Sequence, residues 1–260
     1  KNLSRTTEPM FHFYLGYAHL QQQDYDRALN SMLRIKDKNS TYTLHAKYYT
    51  GYCYYAQKDY QRALIEFLNL EKLGGYNQVA PYYVVQIYYA QGEYKKVYER
   101  AEKLLKQYPD NQYNDEMHRM LGEMYYQDSL YTDAVRHLEA YRTLRQAAKK
   151  EILRSDMYLL GLSHYMTRNY QEAVNSLKTI TLNEDTISEN TCLHLGHSYL
   201  RLQDIENAKL SYAAAIRYNI NPQLREEAMY NYVQVTYLQN SALGESITAF
   251  QDFIREYPNS

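Results

Sequence analysis

Residues 51–67, GYCYYAQKDYQRALIEF, decide the fold. Gly51 stands 12 positions before a second small residue, Ala63, with the polar step Asp59-Tyr60 between them. The same pair returns along the chain as Gly16/Ala28, Val85/Val97, Gly122/Ala134, Gly161/Ala173, Gly196/Ala208 and Gln234/Ser246. Second members follow one another at 35, 34, 37, 39, 35 and 38 residues. A period in that range means stacked supersecondary units, each burying its apolar face on its neighbours.

The internal spacing identifies the unit. With the first small residue as position 8 and the second as position 20, position 11 is Tyr or His throughout: His19, Tyr54, Tyr88, Tyr125, His164, Tyr199 and Tyr237. Position 17 is Tyr in the first five copies, Tyr25, Tyr60, Tyr94, Tyr131 and Tyr170. Position 24 is Met32, Phe67, Ala101, Leu138, Leu177, Tyr212 and Phe250, and Pro109 and Pro258 fall at position 32. This pattern resembles the tetratricopeptide repeat family over nearly the whole chain, with Val85 and Gln234 departing from the Gly rule. The resemblance implies an all-α, right-handed α-solenoid, a superhelix of about seven stacked helix pairs. The repeats read as 9–43, 44–77, 78–114, 115–153, 154–188, 189–226 and 227–260. They form one solenoid domain, expected to be a piece of a longer array.

The residues support helix pairs without the family. Apolar positions recur three and four apart, as in Leu121, Met124, Tyr125 and Leu138, Tyr141, the stripe of an amphipathic helix. Positions 8 and 20 are expected to face each other where helices A and B cross. Asp24, Asp59, Glu93, Asn169 and Asp204 precede helix B, where Asp and Asn can cap free N–H groups. Gly74-Gly75 is expected to stop a helix in the left-handed conformation. None of the five prolines interrupts a predicted helix interior.

Composition excludes several classes of function. Net charge is −1, so no field favours nucleic acid or an anionic membrane. The basic group Arg142, Arg145, Lys149, Lys150 and Arg154 reads as a solvated face, and residues 183–190 as an inter-repeat turn with a helix start. No apolar run approaches the roughly 20 residues of a spanning helix. The two cysteines, Cys53 and Cys192, lie four repeats apart and cannot pair. There is no phosphate loop, nucleophile elbow or Cys-x-x-Cys. His194 and His197 share a helix face but lack further ligands, so they read as structural. No catalysis, metal or cofactor is expected.

In tetratricopeptide repeat proteins helix A lines the concave face at positions 2, 5, 9 and 12. Carried over, these give Phe13, Tyr17, Tyr48, Tyr52, Tyr55, Tyr82 and Tyr89 in the first three repeats, then Arg119, Tyr126, Tyr158 and Tyr165. With 33 tyrosines, 5 phenylalanines and no tryptophan, the chain favours rings that carry a hydroxyl. Such a floor suits a peptide or helix of a partner protein, since Tyr gives large contact area for little rotamer entropy. The alternative is that these rings pack only on each other. The family's chaperone-binding members hold a C-terminal carboxylate with a Lys, Asn and Arg clamp. The matching positions here, Phe13, Tyr17, Tyr49, Val79 and Tyr83, hold no charge or amide, so acidic-tail binding by the first three repeats is not expected. Other readings are an RNA-binding helical repeat and the docking arm of an enzyme whose catalytic domain lies elsewhere.

Gln107-Tyr108-Pro109 and the ending Phe250, Phe253, Tyr257, Pro258 and Ser260 look like repeat endings of bacterial cell-envelope members. A periplasmic or outer-membrane-associated setting is therefore expected, with a cytoplasmic one as alternative. An uncapped last repeat would leave an apolar face that a second copy, as a homodimer, could cover.

Overall fold

The computed structural model describes residues 7–239 and 243–260. These form fourteen α-helices and no strand, arranged as antiparallel pairs. The pairs are α1 (Thr7–Gln21) with α2 (Tyr25–Leu33), α3 (Thr43–Ala56) with α4 (Tyr60–Leu73), and α5 (Val79–Ala90) with α6 (Tyr94–Gln107). Next come α7 (Asn114–Gln127) with α8 (Tyr131–Ala147), and α9 (Arg154–Met166) with α10 (Tyr170–Leu177). The last are α11 (Thr186–Arg201) with α12 (Ile205–Tyr218), and α13 (Pro222–Leu238) with α14 (Leu243–Glu256). The chain divides into two compact units, residues 1–117 and residues 118–260.

The reason for Gly at position 8 is chiefly a close approach to position 24, with the position-20 carbonyl also near a Cβ on Gly16 and Gly161, Ala28 O at 3.2 Å and Ala173 O at 3.6 Å. A Cβ on Gly122 would lie 2.6 Å from Leu138 Cγ, one on Gly161 2.6 Å from Leu177 Cγ, and one on Gly196 2.5 Å from Tyr212 Cε1. Met32 and Phe67 meet Gly16 and Gly51 in the same way, at 2.9 and 3.1 Å. All five partners sit 16 residues after their glycine and are essentially inaccessible to solvent. In the third copy the sizes are exchanged: Val85 replaces the glycine, Ala101 replaces the large residue, and both are fully buried. In the seventh, Gln234 fills position 8 and Phe250 is 37% exposed, on a helix that among the described residues packs chiefly on α13.

The turn inside each of the first six pairs has one geometry that glycine content does not betray. Position 15 has a positive φ in all six described copies: Gln23, Lys58, Gly92, Ser129, Arg168 and Gln203, between 58° and 72°. Only one is glycine. The next residue's N–H then returns to the carbonyl of position 11, as Asp59 to Tyr54 at 2.8 Å and Asp204 to Tyr199 at 2.9 Å, satisfying helix A's last orphan acceptors.

Asp24, Asp59 and Asp204 cap helix B, accepting from the N–H groups of Arg27, Arg62 and Asn207 at 3.1, 3.1 and 3.2 Å. Asn169 and Glu93 hold the cap position without a side-chain bond. The Asn169 amide instead donates to Thr167 Oγ1 at 3.2 Å. Gly74 ends α4 with φ 72° and ψ 175°, a conformation open essentially to glycine alone but distinct from the left-handed helix expected there. Pro9 and Pro81 lie in first turns, Pro222 starts α13, and Pro109 and Pro258 follow helices.

Consecutive pairs are joined by polar bonds between residues about one repeat apart. In the first unit Lys36 pairs with Glu66, Arg100 with Glu71 at 3.0 Å, and the Asn111 amide donates to the Gln78 carbonyl at 3.2 Å. In the second, the fully buried Glu189 carboxylate accepts the N–H groups of Ile220 and Asn221 at 3.1 and 3.0 Å. In the basic group near residue 150, Arg142, Arg145 and Arg154 are engaged, while Lys149 and Lys150 lie on the exposed face expected for the group. Arg142 meets Glu139 at 2.5 Å, Arg145 Nε donates to the Glu151 carbonyl at 2.8 Å, and Arg154 forks onto Asp185 at 2.6 and 3.2 Å. On α14, Ile247, Phe250 and Ile254 are exposed, so its outer face is not uniformly polar.

Candidate partner-binding groove

In the first unit the helix-A rings form a continuous aromatic lattice. Each position-5 ring is covered by a tyrosine from the turn that follows its repeat. Phe13 stacks on Tyr42 at 5.0 Å between centroids, Tyr48 on Tyr76 at 4.9 Å and Tyr82 on Tyr113 at 4.2 Å. Tyr83 is the hub, stacked on Phe67 at 4.7 Å and meeting Tyr48, Tyr52, Tyr55 and Tyr82 edge-on within 6.1 Å. Three of the sequence-predicted residues, Phe13, Tyr48 and Tyr82, therefore have one ring face spent on packing.

The position-9 and position-12 rings are less committed. Tyr17 is 38% exposed and meets Phe13 and Tyr49, at 6.3 and 5.6 Å. Tyr52 meets Tyr25 at 6.5 Å and Tyr83 at 6.0 Å. A hollow of about 290 Å³ opens here, lined by Leu20, Gln21, Gln23, Tyr25, Tyr48, Tyr49 and Tyr52. Tyr55 and Tyr89 are half-buried, leaning on the position-17 rings Tyr60 and Tyr94 at 6.0 and 6.2 Å. Tyr25, Tyr76 and Tyr113 were outside the groove as read from the sequence, and Tyr49 and Tyr83 entered that reading only as clamp positions without charge or amide. Tyr49 and Tyr83 sit one position after the expected stripe, and the turn tyrosines lie outside helix A altogether.

Burial keeps these hydroxyls protonated. Tyr48 and Tyr76 are each pushed up to about 12, and Tyr82 and Tyr83 are driven well above the ordinary tyrosine range by the same desolvation. The surface is thus neutral, apolar on its ring faces and hydrogen-bonding at its rims.

The second unit holds the other predicted residues. Arg119 faces Glu123 across one helical turn at 3.5 Å, so it is not a free cation, and Tyr126 meets Tyr131 at 5.5 Å. Tyr158 and Tyr165 converge on His194 at 6.3 and 5.8 Å, and Tyr165 also meets His197 at 6.1 Å. Both His197 nitrogens are taken, one by the Tyr212 hydroxyl at 2.9 Å and one by Glu227 at 3.1 Å. Burial pulls His197 down to about 4 in spite of Glu227, whose half-exposed carboxylate is screened by water. His194 Nδ1 is bonded to the Asn190 carbonyl at 2.9 Å. Among the described residues no group of three or more His, Cys, Asp or Glu is placed to hold a metal.

Cys53 and Cys192 are buried free thiols, pushed up to about 12 and about 11, so neither offers a thiolate. No described helix is long and apolar enough to cross a membrane.

Comparison with known proteins agrees with the repeat geometry. The tetratricopeptide repeat family matches residues 15–77 and 193–260, just over half of the chain. No curated protein matches the sequence. Among solved structures, the C-terminal part of a TPR repeat-containing protein from Cytophaga hutchinsonii superposes with a TM-score of 0.59 at 15% identity. That match covers 95% of this chain and 96% of that one. The Naa15/Naa10 structure bound to HypK-THB gives 0.58 at 14% identity, covering 97% of this chain and 37% of that one. Both likenesses are of fold. Folds of this kind generally act as non-catalytic scaffolds for contacts between proteins. The matched segments, the recurring Gly-to-position-24 contact and the shared turn geometry lead to one assignment: the chain belongs to the tetratricopeptide repeat family.

Proposed function

We propose that this chain is a scaffold whose first unit holds a peptide or helix of a partner protein against the helix-A rings of α1, α3 and α5. The observation that carries this is the hollow beside Tyr49 and Tyr52, backed by a lattice in which Tyr48, Tyr76, Tyr82 and Tyr83 already hold each other in place. A pre-organised aromatic floor loses little entropy on binding, and neutral hydroxyl rims can pair with the backbone of an extended or helical ligand. Because the floor carries no charge, affinity should change little with salt, unlike contacts to an RNA backbone.

The test uses twelve-residue peptides selected from a phage-displayed random library against the wild-type protein. Tyr17→Ala with Tyr52→Ala should weaken the selected peptides at least tenfold, about 1.4 kcal/mol, while helicity is kept. These two rings are chosen because neither is the hub of the lattice. Equal binding by a folded double variant contradicts the proposal.

A setting in the bacterial cell envelope belongs to the same reading. It is supported by the Tyr108-Pro109 and Tyr257-Pro258 endings, and cell fractionation tests it.

A further inference from the structure

We infer that the first unit carries a second binding site, on its helix-B side, for a peptide segment that sets an acidic group beside an apolar side chain. A cleft of about 720 Å³ runs between the end of α4 and the outer face of α6 and shares no residue with the hollow beside Tyr52. That volume lies within the range of built ligand clefts, roughly 300–1,000 Å³.

Its chemistry is two-sided. The apolar part is Leu73, 56% exposed at the last residue of α4, with Leu104 and Pro81 buried beside it. The charged part comes from α4 and from one stripe of α6, where Arg100, Lys103 and Gln107 recur at helical spacing. The Arg100 guanidinium is engaged by both Glu71 oxygens, at 3.0 and 3.3 Å. Among the described residues Lys72 and Lys103 make no ion pair. Glu71 and Glu99 stand against Lys72, Arg100 and Lys103, so the lining keeps one excess positive charge.

The walls are fixed before any ligand arrives. The Glu71–Arg100 pair ties α4 to α6. The Asn111 amide holds the Gln78 carbonyl at 3.2 Å, and the Asn114 amide holds that of Tyr108 at 2.9 Å. A bare inorganic anion would use the two ammonium groups and leave Leu73 in water. An apolar segment without a carboxylate would bury Leu73 and strand the lysines. An acidic peptide with a neighbouring Leu or Phe satisfies both.

The experiment titrates a pentapeptide acetylated at its N-terminus and amidated at its C-terminus, Ala-Glu-Leu-Asp-Leu, into isotopically labelled protein and follows backbone amide shifts. The proposal expects saturable shifts at Lys72, Leu73, Lys103 and Leu104. It also expects binding at least tenfold weaker for the K72E/K103E variant and at least fivefold weaker for the peptide with Gln and Asn in place of its acids. L73N, which leaves every charge in place, should also weaken binding at least threefold. All these substitutions lie on exposed side chains, and melting curves check that the variants stay folded. The proposal is overturned if millimolar peptide leaves these amides unmoved or if K72E/K103E binds as well as the wild type. It is also overturned if inorganic phosphate alone produces the same shifts with equal affinity.

Discussion

The residue at position 15 of the first six repeats shows how much strain a recurring turn tolerates. Ser129 and Arg168 hold φ of 61° and 63°, a conformation that costs an L side chain on the order of 1–2 kcal/mol, partly offset because glycine loses more chain entropy on folding. Ser129→Gly and Arg168→Gly should therefore each raise unfolding stability by about 0.5–1 kcal/mol, and Gly92→Gln should lower it by about the same amount. Urea denaturation reads both signs, and a loss on introducing glycine would refute the account of the turn. At His197 the effect is one of pH. Its folded pKa of about 4 lies below the ordinary 6.5, so the unfolded chain takes up a proton first on acidification. Stability contributed by this group is complete above pH 6.5 and falls as pH drops toward 4, by on the order of 3 kcal/mol. His197→Gln should flatten that part of the stability profile. A profile unchanged by the substitution would show that burial does not control this histidine.

At the scale of the helix pair, the crossing is set by the contact between position 8 and position 24. Gly122→Ala places a methyl 2.6 Å from Leu138 Cγ, and overpacking of this kind costs about 1–3 kcal/mol. Leu138→Ala also destabilises, by about 2–5 kcal/mol, but combined with Gly122→Ala the loss should be smaller than the sum of the two single losses, since Val85 and Ala101 show that the sizes can be exchanged. Additive losses measured by thermal unfolding would contradict it. Helix pairing itself was readable in the sequence, because Gly122 and Leu138 recur at fixed offsets and Asp24, Asp59 and Asp204 mark where helix B begins. The turn conformation was not, since five of the six described position-15 residues are not glycine. The Glu189 carboxylate bound to the next connection was also invisible, because partners about 30 residues apart obey no local pattern.

For the whole molecule, the sequence placed the aromatic residues on the helix-A positions but did not show the division of labour among them. Phe13, Tyr48 and Tyr82 are at the positions expected to line the groove, yet Tyr42, Tyr76 and Tyr113 cover them from the turns. Tyr83, read as a vacant clamp position, proves to be the hub of the lattice. What remains open to a ligand is the region around Tyr17, Tyr49 and Tyr52, which is the centre of the proposed function. The most direct measurement places a photoreactive benzophenone side chain at position 17 or 52 in the native cell and, as control, at Ile65, which is 59% exposed on α4. Irradiation is predicted to give a discrete adduct with another protein from positions 17 and 52 and none from position 65. No adduct at either groove position, or the same adduct from all three, would contradict the claim that this aromatic surface receives a protein partner.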